Sequence, residues 1–165
     1  LEKLALILDV SKSQAESLWL HVNEEVAAMA KALPVVRPKL TVYFEVGSAP
    51  YAAGPDSFIG ETLERLGVEN IIPAQLGAFP KINPELVVRS NPDVMMLSDK
   101  NTAHLSDRPG WSALRAVRER RICNFTEQES DVIVRAGPRL AEGARAITRC
   151  LAKYGYSAAL ELVIQ

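Results

Sequence analysis

Apolar positions along the chain keep two different rhythms. Ala15, Leu18, Trp19, Val22, Val26, Met29 and Leu33 recur at steps of three and four, which predicts a helix with one apolar stripe. Ser13-Gln-Ala-Glu16 reads as its capping box, and Pro34 and Pro38 end it. A helix of about 20 residues spans about 30 Å, the width of a small domain. The rhythm then changes. Residues 40–46, LTVYFEV, are rich in β-branched and aromatic side chains and predict a strand. A helix over 57–66 follows, with Phe58, Ile59, Leu63 and Leu66 inward and Gly67 as its C-cap. Residues 70–72 predict a short strand. Asn83-Pro84 is an N-cap followed by Pro at the first helical position, opening a short helix that stops at Asn91-Pro92. DVMML, 93–97, reads as a strand covered on both faces. A helix from Trp111 to about Arg118, a strand over 121–125 and a polar loop come next. Gly137-Pro138 opens a last long helix with Leu140, Ala144, Ile147 and Leu151 on one face, and Gly155 ends it.

Strands alternating with helices predict an α/β fold, a three-layer lobe with a parallel central sheet flanked by helices and preceded by a long backbone helix. No internal repeat, low-complexity run or interdomain linker is visible, and no element is assigned to 156–165. The 165 residues can bury a real core. With 48% apolar and 24% charged residues the composition is ordinary for a globular protein, and a net charge of −1 argues against a general nucleic-acid binder. No apolar run approaches the ~20 residues that span a bilayer. The opening LEKLALILDV lacks Met and reads as the last turns of a helix already under way, so a mature or trimmed fragment is expected. Cys123 and Cys150 lack metal-ligand spacing and are expected as two buried thiols. A disulfide would instead require an oxidising compartment and Cα atoms within about 7 Å.

In such a sheet the loops leaving the carboxyl ends of the strands share one edge, where ligands bind. That edge collects residues 47–56, 73–82, 98–110 and 126–136. They bring the aromatics Tyr51 and Phe79, with Trp111 close behind. They also bring the polar groups Glu45, Gln75, Asp99, Asn101, Glu127, Glu129 and Asp131, with Arg135 and Arg139 nearby. A phosphate cradle is excluded. Gly47 and Gly54 do not make a dinucleotide fingerprint, no Lys-Ser or Lys-Thr pair follows, and Pro50 and Pro55 remove backbone donors. No nucleophile elbow is present. His21 beside the apolar stripe and His104 in a polar loop read as packing or solvated residues, and Glu127, Glu129 and Asp131 as a solvated loop rather than paired catalytic carboxylates. What remains is a rim of aromatics with scattered hydrogen-bonding groups. It suits a bulky, partly apolar ligand held by stacking and shape. Anchoring of Tyr51 and Phe79 into the core is the competing reading.

The stretches VYFEVGSAPYAAGPDSFIGETLERLGVENI, FPKINPELVVRSNPDVMML, GWSALRAVRERRI and GPRLAEG, taken in order, resemble the carboxyl-terminal lobe of periplasmic substrate-binding proteins of ABC importers for cobalamin, haem and ferric siderophores. The resemblance covers residues 1 to about 154. It implies that residues 1–36 form the backbone helix between two lobes, that 37–155 form the carboxyl-terminal α/β lobe, and that the amino-terminal lobe precedes Leu1. It implies capture of a bulky metal chelate and delivery to permease subunits in the inner membrane, in the periplasm or another extracytoplasmic space, with lipid anchoring of the full-length protein as an option. It assigns ligand contact to Tyr51, to Phe79 six residues before Glu85, and to Arg139, which either faces the cleft or caps the last helix. It assigns docking on the permease to Glu85, an acid that the helix dipole favours in any case. Glu45 either faces the cleft or holds the adjacent loop. No cofactor of the protein's own, no metal site and no nucleic-acid partner is expected, since any metal arrives inside its chelate. The alternatives are a chelatase-like or metallocluster-related enzyme lobe, and a scaffold lobe of the same fold that binds nothing.

Overall fold

A computed structural model describes residues 12–35, 38–47, 50–98, 105–135, 137 and 139–155. Helix α1, Lys12–Ala32, carries the long apolar stripe. Only its second half is covered: Val22, Val26 and Leu33 are buried, while Leu18, Trp19 and Leu20 are exposed. Ser13 lies inside the helix instead of capping it. Strand β1, Thr41–Gly47, is followed by the two-residue strand β2, Tyr51–Ala52, helix α2, Phe58–Arg65, and strand β3, Glu69–Asn70. Helix α3, Pro84–Ser90, leads to β4, Val94–Leu97, and helix α4, Arg115–Arg118, leads to β5, Ile122–Asn124. Helices α5, Glu127–Val134, and α6, Leu140–Cys150, complete the described chain, with one π-helical turn at Leu151–Gly155.

Several boundaries follow from local chemistry. Ser57 caps α2 by accepting from the Gly60 N–H, and Gly67 closes it at a φ of 83° that favours glycine. Asn83 caps α3 through the Glu85 N–H, with Pro84 in the first turn.

Four expectations are corrected. The stretch from Trp111 divides into a 3-10 turn, Trp111–Ala113, and α4, because Leu114 between them is extended. Residues 127–134 form a helix where a polar loop is expected. Thr126 and Glu129 make a reciprocal capping box, and Val132 and Ile133 then reach the core. The loop expected after β1 contains a two-residue antiparallel strand, which adds an edge to the otherwise parallel sheet. Finally, Cys123 and Cys150 are joined as a disulfide with Cα atoms 6.0 Å apart, since β5 and the end of α6 face each other in the core.

Strand β1 pairs in parallel with β3 on one side and β4 on the other, and β4 pairs in parallel with β5. Alternation along the strands separates two cores. Val42, Phe44, Val94, Met96 and Cys123 face residues of α1, α2, α5 and α6. Tyr43, Met95 and Leu97 face Val87, Trp111, Leu114 and Ala116. Because the chain leaves β1 toward β3 and then crosses to β4, the crevice at the carboxyl ends of β1 and β4 is the switch point where such sheets hold ligands.

Candidate functional site

The aromatic side of this edge is a backbone ribbon. Strand β2 runs antiparallel to the end of β1, with Glu45 opposite Ala52 and Gly47 opposite Tyr51. On its outer side it meets the segment before α3. The Ala52 N–H donates to the Pro80 carbonyl at 3.0 Å, Ile82 N–H to Pro50 at 3.1 Å, and Gly54 N–H to Ala78 at 2.8 Å. This register makes Tyr51 and Lys81 directly opposed. Phe79 is two residues from Lys81, so it shares the face of Tyr51 as a diagonal neighbour. Ala52 and Ile82 point the other way, into the core beside Tyr43 and Trp111. Both rings stay accessible, Tyr51 at 44% and Phe79 at 45%, and Phe79 leans on Phe58 with ring centroids 6.1 Å apart.

Glycine makes the ribbon this tight. A Cβ on Gly54 would overlap the Gly77 carbonyl oxygen, and one on Gly60 would overlap the Gly54 carbonyl. That carbonyl also accepts the Ser57 hydroxyl at 2.7 Å. Loop, helix start and facing segment are therefore locked together below the rings.

On the opposite face of β1, Glu45 is only 4% exposed. Its carboxylate receives both guanidinium nitrogens of Arg108, at 2.7 and 2.8 Å, and the Tyr43 hydroxyl at 2.8 Å. Arg108 in turn lies 4.4 Å over the Trp111 ring. Burial, then the neighbouring Glu45, pushes the Tyr43 phenol far above its ordinary pKa, so it stays a donor. Hydrogen bonding to Glu45 raises the Arg108 guanidinium above its own. Glu45 thus ties the end of β1 to the segment after β4. A bidentate buried pair of this kind holds geometry well.

Across Val46 from the ribbon lies a depression of about 330 Å³. Val46, Phe125 and Val134 make it apolar, and Ser98, Ser130, Glu127 and Asp131 add polar groups. The Ser130 hydroxyl donates to the Ser98 carbonyl at 2.7 Å, and the Ser98 hydroxyl to the Glu45 carbonyl at 3.1 Å, so α5 is fastened to the ends of β4 and β1. Rings on one side of β1 and a polar-rimmed hollow on the other make one open surface.

A family model for periplasmic binding proteins matches residues 1–129. This chain belongs to the periplasmic binding protein family. One relative that matches is a cobalamin-binding protein of Halobacterium salinarum, 33% identical over 102 residues, which are 58% of this chain and 27% of that protein. Among solved structures, a possible iron-binding, periplasmic solute-binding protein from Staphylococcus epidermidis superposes with a TM-score of 0.75 at 24% identity, covering 91% of this chain and 59% of that one. An ABC-type Fe3+-hydroxamate transport protein from Saccharomonospora viridis gives 0.69 at 22%, covering 91% and 54%. The periplasmic heme-binding protein RhuT from Roseiflexus gives 0.67 at 23%, covering 91% and 59%. At these identities the structures establish the fold. This periplasmic binding protein chain spans about a quarter of its curated relative and under two thirds of these three structures.

The remaining candidates of this family member fall elsewhere. Arg139 is exposed at the start of α6 and is not among the residues lining the depression; its side chain makes no capping bond. Glu85 is exposed in the first turn of α3. Asp99, Asn101, His104, Ala136 and Pro138, like the segments 1–11 and 156–165, lie outside the described residues. Among the described residues, no three His, Cys, Asp or Glu side chains are grouped to hold a metal ion. Sequence reasoning passes over Lys81, Phe125 and Ser130. The alternation of Phe79, Pro80 and Lys81 signals an extended segment with two residues on one face, and the Thr126–Glu129 capping box signals the helix that carries Ser130.

Proposed function

We propose that this chain is the carboxyl-terminal lobe, with the backbone helix, of the substrate-binding component of an ABC importer. It captures a bulky metal chelate and hands it to a membrane permease. The observation that carries the reading is the shared face of Tyr51 and Phe79, two half-exposed rings at the carboxyl edge beside a hollow. Exposed aromatics on a rigid ribbon offer stacking area at little entropic cost. Nothing in this scheme needs bond making, in keeping with a family of binding proteins. A corrinoid is the leading ligand because the curated relative is a cobalamin-binding protein, and ferric siderophores and haem follow from the structural neighbours.

An amino-terminal lobe of the same protein closes the other side of the cleft. The uncovered Leu18, Trp19 and Leu20 on α1 and the partial coverage of the relatives both support it. The disulfide supports an oxidising, extracytoplasmic location, and among the described residues no helix is long and apolar enough to cross a membrane. Glu85 docks the lobe on an arginine of the permease by a charge-assisted hydrogen bond. Arg139 adds a ligand contact from α6, while Glu45 serves the ligand indirectly by holding the Arg108 segment.

The test is titration of the complete protein with cyanocobalamin, haemin and ferric siderophores, followed by Trp and Tyr fluorescence. Saturable binding to one of them is expected. Tyr51→Ala and Phe79→Ala each weaken it by about 10- to 100-fold, the worth of one buried ring. Binding that both variants leave unchanged would remove the rings from the site.

A further inference from the structure

Lys81 is an exposed cation on the ribbon flank of this surface, and its place is built by backbone geometry. The bonds from Ala52 N–H to Pro80 and from Ile82 N–H to Pro50 flank the Tyr51–Lys81 pair without involving either residue's own N–H or carbonyl. Such a non-hydrogen-bonded antiparallel pair has the closest side chains in a sheet, with Cα atoms about 4.5 Å apart. The ammonium therefore rises on the same face as the Tyr51 ring, with Phe79 diagonal to it. Lys81 is exposed and has no ion pair among the described residues. On the far side of β1 the depression carries Glu127 and Asp131, the latter paired with Arg135 at 3.3 Å, so the unpaired Lys81 ammonium marks the ribbon flank.

We propose that Lys81 is a specificity-determining residue that recognises an anionic oxygen group, phosphate, carboxylate or catecholate, on the periphery of the captured chelate. The inference rests on the ligand-capture reading above. The rings hold the flat body by stacking, which is indifferent to charge. The ammonium then rewards an anionic edge on the ribbon side, and so also sets which way round the guest lies. Two sources of the group are the nucleotide-loop phosphodiester of a complete corrinoid and the acidic groups of haem or a catecholate siderophore.

The complete protein, as wild type, Lys81→Gln and Lys81→Arg, is titrated with three probes that are anionic at one edge: cyanocobalamin, whose phosphodiester is balanced by the charge at cobalt, haemin and ferric enterobactin. Two neutral probes, dicyanocobinamide and ferrichrome, serve as partners lacking the phosphodiester or the acidic groups. We expect Lys81→Gln to weaken an anionic probe by about tenfold, the weight of one charge-assisted hydrogen bond at an exposed site. Lys81→Arg restores most of that loss. The difference between wild type and Lys81→Gln shrinks as salt is raised. A loss confined to cyanocobalamin identifies the phosphodiester, and one on haemin or ferric enterobactin identifies the acidic groups. Binding that Lys81→Gln leaves unchanged, or weakens equally for neutral and anionic probes, overturns the role of Lys81 and leaves capture standing. Wild-type protein that binds none of the five overturns the capture reading and the role of Lys81 with it.

Discussion

At the scale of single residues, the proposed site depends on residues set behind its open face. Gly54 is the clearest. Its backbone is enclosed by Gly77, Gly60 and Ser57, and no side chain fits there. Gly54→Ala is expected to cost about 1–3 kcal/mol by overpacking, and to weaken probe binding as much as removing Tyr51, since it prises the ribbon apart under both rings. Thermal unfolding and fluorescence titration of the one variant read both effects; unaltered affinity would mean that the ribbon does not position the rings. Glu45 teaches a related lesson. A carboxylate at the end of a ligand-facing strand invites a role in contact, but three donors within 2.8 Å occupy it, and it acts as a tie between segments.

At the scale of elements, the sheet is registered at one end by a carboxylate and braced at the other by a covalent link. Asp93, just before β4, accepts the Thr41 N–H at 2.9 Å, the Thr41 hydroxyl at 2.8 Å and Arg115 at 2.6 Å. Burial pushes its pKa up, but these bonds together outweigh it and hold the carboxyl below its usual value. Glu129 is lowered in the same sense, first by the Thr126 N–H and then, against partial burial, by Arg149. A lowered folded pKa means that the unfolded chain takes up protons more readily. The stabilisation is thus fully present above about pH 4 and is lost as the pH falls through the folded value. Urea midpoints measured from pH 6 to pH 3 should fall for the wild type and fall less for Asp93→Asn; parallel curves would count against the assignment. The Cys123–Cys150 bridge ties edge strand β5 to α6 across 27 residues. Reduction, or Cys123→Ser with Cys150→Ser, should lower stability by about 3–4 kcal/mol in the chain-entropy account. Denaturation with and without reductant measures it, and identical midpoints would argue that the bridge does not form in the native protein.

At the scale of the whole molecule, the proposal gives ligand capture to one surface and permease docking to another. Glu85 is exposed at the start of α3, away from the hollow's lining. Glu85→Arg in the complete protein is expected to leave ligand affinity within about twofold, because an exposed side chain outside the site contributes little to it. The same change should reduce uptake through the permease by about tenfold or more, because it sets like charges against each other at the docking contact. Uptake equal to wild type would remove Glu85 from that contact. The first turns of α1 belong to this scale too, since a single lobe does not cover Leu18 and Trp19.

The sequence by itself determined the alternation of strand and helix, the bounds of α3, the caps at Asn83 and Gly67, and the α/β class, because these depend on periodicity and on hydrogen bonds between residues a few positions apart. The family was legible for the same reason, through short motifs in a constant order. Helix α5 was missed, because its polar composition argues for a loop, although the capping box at Thr126 carries its signal. Only the tertiary structure decided the rest. The antiparallel return of β2, the pairing of Tyr51 with Lys81, the capture of Glu45 by Arg108 and the joining of Cys123 to Cys150 all link residues 27 or more apart, or turn on which side of β1 a segment lies. Such meetings are set by how the sheet orders its strands, and no local pattern of side chains encodes that order.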